Sequence, residues 1–286
     1  MVNLSNKNIL ITGGSLGLGY AAAEACLKAG GRVVICARNQ GDLDAAIARL
    51  QQQGYENVAS IAADVTQQDR VEAALDAVES RFGPLSAVIH AAGIYGPIGA
   101  ITQVDPEAWF NAIQVNLFGT FLVARQSSLR LQQHGGGRIA LFSGGGAASP
   151  FPNYTGYACG KVGVVRLTET IAQELAPHNI EVNCIAPGFV VTRLHQQTLE
   201  AGEGLAGKAF LQKTREQIEK GGVPVTVGAN AAAFLISDAA KGISGKFVAA
   251  PYDGYEDWPQ HLDELQAMDI FTLRRILPKE RGMDWQ

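Results

Sequence analysis

Short apolar runs alternate with longer segments whose apolar positions recur at helical spacing, and this rhythm holds for most of the chain. Lys7–Thr12, Arg32–Ala37, Val58–Ala62, Ala87–His90, Arg138–Phe142, Ile180–Ile185 and Lys246–Ala250 read as seven strands. Helical patterns lie between them, among them Tyr20–Lys28, Leu43–Leu50 and Val71–Phe82. Strands separated by helices imply right-handed crossovers and a mostly parallel sheet covered on both faces, a three-layer α/β/α architecture. Glycine triplets beginning at 135 and 144 bracket the fifth strand like turns.

Two stretches break the rhythm. Residues 189–222 form a polar, helix-prone insertion that follows a strand end, where ligands of open α/β sheets sit, so the segment is a candidate substrate lid. The body is expected over 1–250. Residues 251–286 form a tail carrying Tyr252, Tyr255, Trp258, Phe271 and Trp285 beside Arg274, Arg275 and Arg281. A tail with that much aromatic surface is expected to dock, on its own subunit or a neighbour.

Bulk properties narrow the function classes. A chain of 286 residues can bury the core of one large domain. A net charge of −4 argues against a nucleic-acid partner, and no apolar run is long enough to cross a bilayer. Cys26, Cys36, Cys159 and Cys184 are scattered without a Cys-x-x-Cys pair, which points to reduced thiols in a cytoplasmic protein and to no metal site.

Candidate chemistry is concentrated at two places. Thr12-Gly13-Gly14-Ser15-Leu16-Gly17-Leu18-Gly19 lies between the first strand and the first helix. Glycines there permit a tight turn and close backbone approach to phosphate, while the helix start offers free N–H groups to an anion. Tyr157 and Lys161 stand four apart, on one face of a helix. A cation held near a phenol favours the phenolate, so the pair is expected to bring the phenol nearer neutrality as a proton carrier. A phosphate cradle beside a proton carrier suggests carbonyl–alcohol oxidoreduction.

In order and spacing these residues resemble the short-chain dehydrogenase/reductase family, in its single-domain oligomeric branch with a Rossmann fold. The likeness runs from about Lys7 to Ala250 and includes Asp64-Val65, Ala92-Gly93, Val115-Asn116, Ser143 and Asn183-x-x-x-Pro187-Gly188. It implies Tyr157 as general acid/base and Lys161 as the cation that lowers its pKa and bonds the nicotinamide ribose. Ser143 would polarise the carbonyl, and Asn116 would hold a relay water. Asp64 would bond adenine and Thr192 would sit beside the carboxamide. By the same resemblance Gly13, Ser15, Leu16, Gly17, Leu18, Gly19, Val65, Ala92, Gly93, Pro187, Gly188 and Val190 belong to the cofactor site. A homodimer or homotetramer is implied as well.

Two departures stand out. The asparagine-rich turn of the family reads His90-Ala91-Ala92-Gly93 here. Ser143 lies fourteen residues before Tyr157, one more than the family pattern, and Gly144 holds the expected place. Either the glycine triplet carries an insertion that returns Ser143 to register, which is the preferred reading, or the hydroxyl is missing.

Cofactor choice rests on the end of the second strand, Cys36-Ala37-Arg38-Asn39, which lacks a carboxylate until Asp42. Arg38 suits a 2′-phosphate, so NADP(H) is expected over NAD(H). Asn153, Tyr154 and His195 are candidate polar contacts to a sugar-like substrate, with Ser143 and Tyr157 at its carbonyl. A ketoacyl compound or simple ketone is the alternative substrate, and a non-catalytic dinucleotide sensor or scaffold the alternative function.

Overall fold

The structure is a computed structural model and describes residues 2–285; Met1 and Gln286, the ends of the expected body and tail, lie outside the described residues. Chain order is β1 (Asn8–Thr12), α1 (Gly17–Lys28), β2 (Arg32–Ala37), α2 (Gln40–Gln52), β3 (Val58–Ala62), α3 (Gln68–Phe82), β4 (Ala87–His90), α4 (Pro106–Ile113), α5 (Gly119–Gln133), β5 (Gly137–Phe142), α6 (Thr155–Leu175), β6 (Ile180–Ala186), α7 (Arg193–Ala206), α8 (Lys208–Glu219), α9 (Val225–Leu235), β7 (Phe247–Ala249) and α10 (Leu262–Ala267). The seven strands form one sheet in the order β3-β2-β1-β4-β5-β6-β7, and every pairing is parallel.

Alternation along each strand divides the core between the two faces of the sheet. Ile9 and Ile11 join Ala22, Cys26 and Phe234 on the side of α1 and α9. Leu10, Val34 and Val88 join Leu75, Val123 and Val165 on the side of α3, α5 and α6. Because β1 pairs with β2 on one edge and β4 on the other, the chain reverses its winding at β1, which opens a crevice at the strands' carboxyl ends.

Local chemistry fixes the helix ends near that crevice. Asn39 caps α2 by accepting from the Asp42 N–H at 2.9 Å. Asp105 caps α4 through the Ala108 N–H, with Pro106 in the first turn, where its missing N–H costs nothing. Between α4 and α5 a π-turn spans Gln114–Phe118, and the Thr120 hydroxyl donates to the Asn116 carbonyl at 2.7 Å. A π-turn widens the helix locally and frees backbone carbonyls, a device common at functional sites.

The tail packs on the body of its own chain. Its aromatic residues Tyr255 and Trp258 are buried in the α1/α9 core. Further on, the Phe271 carbonyl accepts from the Phe247 N–H at 2.8 Å, so the tail covers the edge that β7 would otherwise expose. The Lys246 ammonium bonds the Ile270 carbonyl at 3.0 Å, and Glu169 accepts from the Leu273 N–H at 2.6 Å. Trp258 is 5% exposed and stacks on Phe271 with ring centroids 4.3 Å apart. Trp258→Ala is therefore expected to cost about 3–5 kcal/mol in denaturant unfolding; a change within about 0.5 kcal/mol, ordinary for a surface site, would mean the tail is not part of the folded unit.

Candidate active site

The first half of the site is the turn between β1 and α1. Gly13 has φ +67°, and a Cβ there would lie 2.7 Å from the Ala92 nitrogen, so the turn can press against the end of β4 only without a side chain. Gly19 abuts the Gly13 carbonyl so closely that any side chain would overlap it. The helix begins at Gly17 with no side-chain cap at Leu16, which leaves its N–H groups available to an anion. Thr192 arches over from the loop after β6, its methyl 3.7 Å from where a Cβ of Gly17 would stand. Leu16 is exposed, Ser15 and Val190 are buried, and Leu18 and Pro187 pack around Gly228. Gly188 turns the loop with φ +79°.

Beside this turn lies a pocket of 150 Å³ whose walls include Gly13, Arg38, Asp64, Val65, Ala92 and Gly93. Tertiary structure thus gathers six of the expected cofactor residues, from the ends of β1, β2, β3 and β4. Arg38 is exposed at the rim. Oδ1 of Asp64 accepts from the Thr66 N–H at 2.9 Å and from its hydroxyl at 2.8 Å, while Oδ2 has no hydrogen-bond partner among the described residues. Both the turn, whose glycines leave a cradle that side chains would fill, and the neighbouring pocket suit a dinucleotide.

His90 takes a structural part here. Its Nδ1 lies 2.7 Å from the Thr12 hydroxyl, tying β4 to β1. Complete burial, with the nearby Lys161 charge, pushes its pKa down to about 3, so the imidazole is neutral.

The second half of the site is α6 and what faces it. Tyr157 and Lys161 are both buried on this helix. The Lys161 ammonium donates to the Phe142 carbonyl at 2.9 Å and stands 5.7 Å from the Tyr157 ring centre. Burial pushes the ammonium down to about 8, and burial likewise raises the phenol above its ordinary value. The expected lowering of the phenol by Lys161 is therefore corrected: burial raises the phenol, and the ammonium is turned toward the Phe142 carbonyl. Asn116 reaches the same place from the π-turn. Its amide accepts from the Ile94 N–H at 3.1 Å and donates to the Ile94 carbonyl at 2.7 Å, and a Cβ on Gly93 would meet both Asn116 and Lys161.

Ser143 does not face the phenol. Its hydroxyl donates to the Lys161 carbonyl at 3.0 Å and its N–H to the Ile185 carbonyl at 2.8 Å, so it continues the β5–β6 pairing inward. Gly144 holds the place beside Tyr157; a Cβ there would overlap the phenol oxygen. The preferred expectation of an insertion that restores Ser143 to register is corrected: strand pairing runs one residue past Phe142 and orients Ser143 away.

Around Tyr157 stands an aromatic wall that the sequence did not reveal. Tyr95, two residues beyond Gly93, is 4% exposed and meets Tyr157 edge to face at 4.9 Å. Tyr154 is fully buried, stacks on Phe151 at 4.4 Å, and donates its hydroxyl to Thr198 at 2.9 Å. It serves as a packing base, not as the free polar contact expected. His195 tilts against Phe189 at 4.0 Å, with Nδ1 3.5 Å from the Thr192 hydroxyl, and burial pushes its pKa down to about 4. Asn153, at φ +68°, lines a 410 Å³ cleft with Phe151 and Phe210. Leu194 and Phe210, from the inserted α7 and α8, pack on this cluster with Ile98. No sequence pattern marks these rings, because they come from four separate segments. Among the described residues no cluster of ligating side chains suits a metal ion, and no helix is long and apolar enough to cross a membrane.

Comparison with known proteins agrees with this geometry. A sequence model described as short chain dehydrogenase matches residues 7–203. The human "Dehydrogenase/reductase SDR family member 4" is 30% identical over 248 residues, covering 86% of each chain. "2-(S)-hydroxypropyl-CoM dehydrogenase 3" of Xanthobacter autotrophicus is 30% identical over 85% of this chain and 94% of its own. A crystal structure of an actinorhodin polyketide ketoreductase with NADPH superposes with a TM-score of 0.77 at 26% identity, covering 86% of this chain and 96% of the other. With the phosphate-suited turn, the Tyr157/Lys161 pair and these likenesses together, the chain belongs to the short-chain dehydrogenase/reductase family.

Proposed function

We propose that the chain is an NAD(P)-dependent oxidoreductase that interconverts a carbonyl and a secondary alcohol, with Tyr157 as its general acid/base. The observation that carries this reading is a buried phenol on the same helix face as a buried lysine, a short way from a glycine turn suited to phosphate. When bound, the dinucleotide supplies or accepts a hydride. The residues of the chain bind and orient it: Gly13, Gly17 and the first turn of α1 receive the phosphates, Asp64 and Val65 hold the adenine end, and Thr192 and Lys161 address the nicotinamide end. Tyr157 donates its proton to the carbonyl oxygen as the carbon is reduced, or accepts one from the alcohol. Burial raises the phenol, which holds its proton near neutrality and can donate it to the carbonyl oxygen.

Arg38, at the end of β2 where no carboxylate follows until Asp42, supports NADP(H) as the preferred form. For the substrate, the wall of Tyr95, Phe151, Tyr154, Phe210, Ile98 and Leu194 favours an apolar ketone or ketoacyl compound over a sugar, since the Tyr154 hydroxyl is already engaged with Thr198. The helices of 189–222 act as the lid over it. Phe118, Phe121 and Leu129, exposed at the start of and along α5, and Val162, exposed on α6, are the surface we assign to a second copy; sedimentation at a monomer's mass would remove that assignment. One observation favours a second reading, a dinucleotide sensor without turnover: Gly144 brings no hydroxyl to the phenol.

Titration of the purified chain with NADPH and NADH, followed by assays on ketones, ketoacyl esters and sugars, separates the readings. NADPH binding with reduction of a ketone is the expected result. Binding without turnover on the whole panel moves the assignment to the sensor, and binding of neither dinucleotide overturns both.

A further inference from the structure

A carbonyl that takes a hydride gathers negative charge on oxygen, and one proton donor is seldom the whole of its stabilisation. Beside Tyr157 the position expected to bring a hydroxyl holds Gly144, and the Ser143 hydroxyl is turned onto the Lys161 carbonyl. The missing donor must come from another segment if the site turns over at all.

Tyr95 is placed for it. Asn116 grips both the N–H and the carbonyl of Ile94, at 3.1 and 2.7 Å, and so fixes the backbone one residue before Tyr95. The ring is then held by three others: Tyr157 at 4.9 Å, Tyr154 at 5.1 Å and His195 at 6.0 Å, each near perpendicular or steeply inclined. Such containment leaves the ring little rotameric freedom, the condition for a preorganised donor. Its hydroxyl has no hydrogen-bond partner among the described residues and is not among the polar atoms sealed from solvent, although the residue as a whole is only 4% exposed. The neighbouring Tyr154, fully buried, has a partner in Thr198. A phenol whose ring is buried while its oxygen stays open can offer that oxygen to a ligand.

We propose that Tyr95 donates the second hydrogen bond to the substrate oxygen, in the role that Gly144 leaves empty. This rests on the carbonyl-reduction reading above. In the step, the carbonyl carbon gains the hydride, the C–O π bond breaks toward oxygen, and that oxygen takes the Tyr157 proton; the dinucleotide is oxidised. Tyr95 keeps its own proton throughout and only stabilises the oxygen's charge. Asn116 acts on this residue as a positioning group, through Ile94.

Tyr95→Phe removes one oxygen and keeps the ring packing. The test is reduction of benzil, an apolar aromatic α-diketone with an activated carbonyl, by the full chain at saturating NADPH, with Tyr157→Phe measured in parallel. The expected result is a fall in kcat of about 10²-fold for Tyr95→Phe, with NADPH affinity unchanged and KM altered much less than kcat. Wild-type kcat within about twofold in Tyr95→Phe, while Tyr157→Phe is inactive, overturns the role of Tyr95 and leaves the oxidoreductase reading standing. A loss confined to NADPH binding also overturns it, since that would mark a structural part in the dinucleotide site. Turnover retained in Tyr157→Phe, or none in the wild type on benzil and on the whole panel of ketones, ketoacyl esters and sugars, defeats the underlying reading and this inference with it.

Discussion

Tyr157→Phe is expected to lower turnover by about 10³-fold or more, equivalent to about 4 kcal/mol of transition-state stabilisation, while the dinucleotide still binds. The magnitude follows from position. The phenol lies buried on α6 against Tyr95 and Phe151, where water is a poor substitute for a fixed proton donor. Replacing it by Phe leaves the ring stacking untouched, so folding and the phosphate cradle should survive. Steady-state kinetics beside fluorescence titration of NADPH would check both halves. Turnover near that of the wild type would remove Tyr157 from the chemistry and leave the aromatic cluster as packing alone.

The second large effect concerns Arg38. Arg38→Asp is expected to weaken NADPH binding by about 10²-fold, because a charge-assisted hydrogen bond is worth about 1.5–3 kcal/mol and the new carboxylate repels a phosphate. NADH should be held as well as before or better, since a carboxylate at the end of β2 accepts from ribose hydroxyls. Arg38 is exposed at the pocket rim with no ion-pair partner among the described residues, so its replacement breaks no internal contact. Comparing dissociation constants for the two dinucleotides isolates the effect. Equal losses for both would show that Arg38 does not read the 2′-phosphate.

The seven strands were legible because each is a compact apolar run between turn residues; observed bounds match the expected ones or differ by one residue at either end, as at Phe247–Ala249. The cofactor half of the site was legible for a related reason. Its demands fall on backbone geometry, and only glycine meets them at Gly13 and Gly19. Local rules of that kind are written in residue type and spacing.

Side-chain direction was not legible. Ser143 and Gly144 are neighbours, and successive side chains along an extended segment point to opposite sides, so one residue of strand pairing decides which of them faces the phenol. Sequence identified the ambiguity without resolving it. The same holds for Tyr154, whose hydroxyl reads as a free polar group until α7 brings Thr198 to it.

By itself, then, the sequence determined the parallel α/β architecture, the glycine turn and the Tyr157/Lys161 face, since each depends on residues close together in the chain. Tertiary structure alone decided three other things: that burial raises the phenol instead of a cation lowering it, that the tail seals the edge of β7, and that Tyr95 stands against Tyr157. Each of those depends on desolvation and contact between segments far apart in sequence, and such terms exist only once the chain has closed around them.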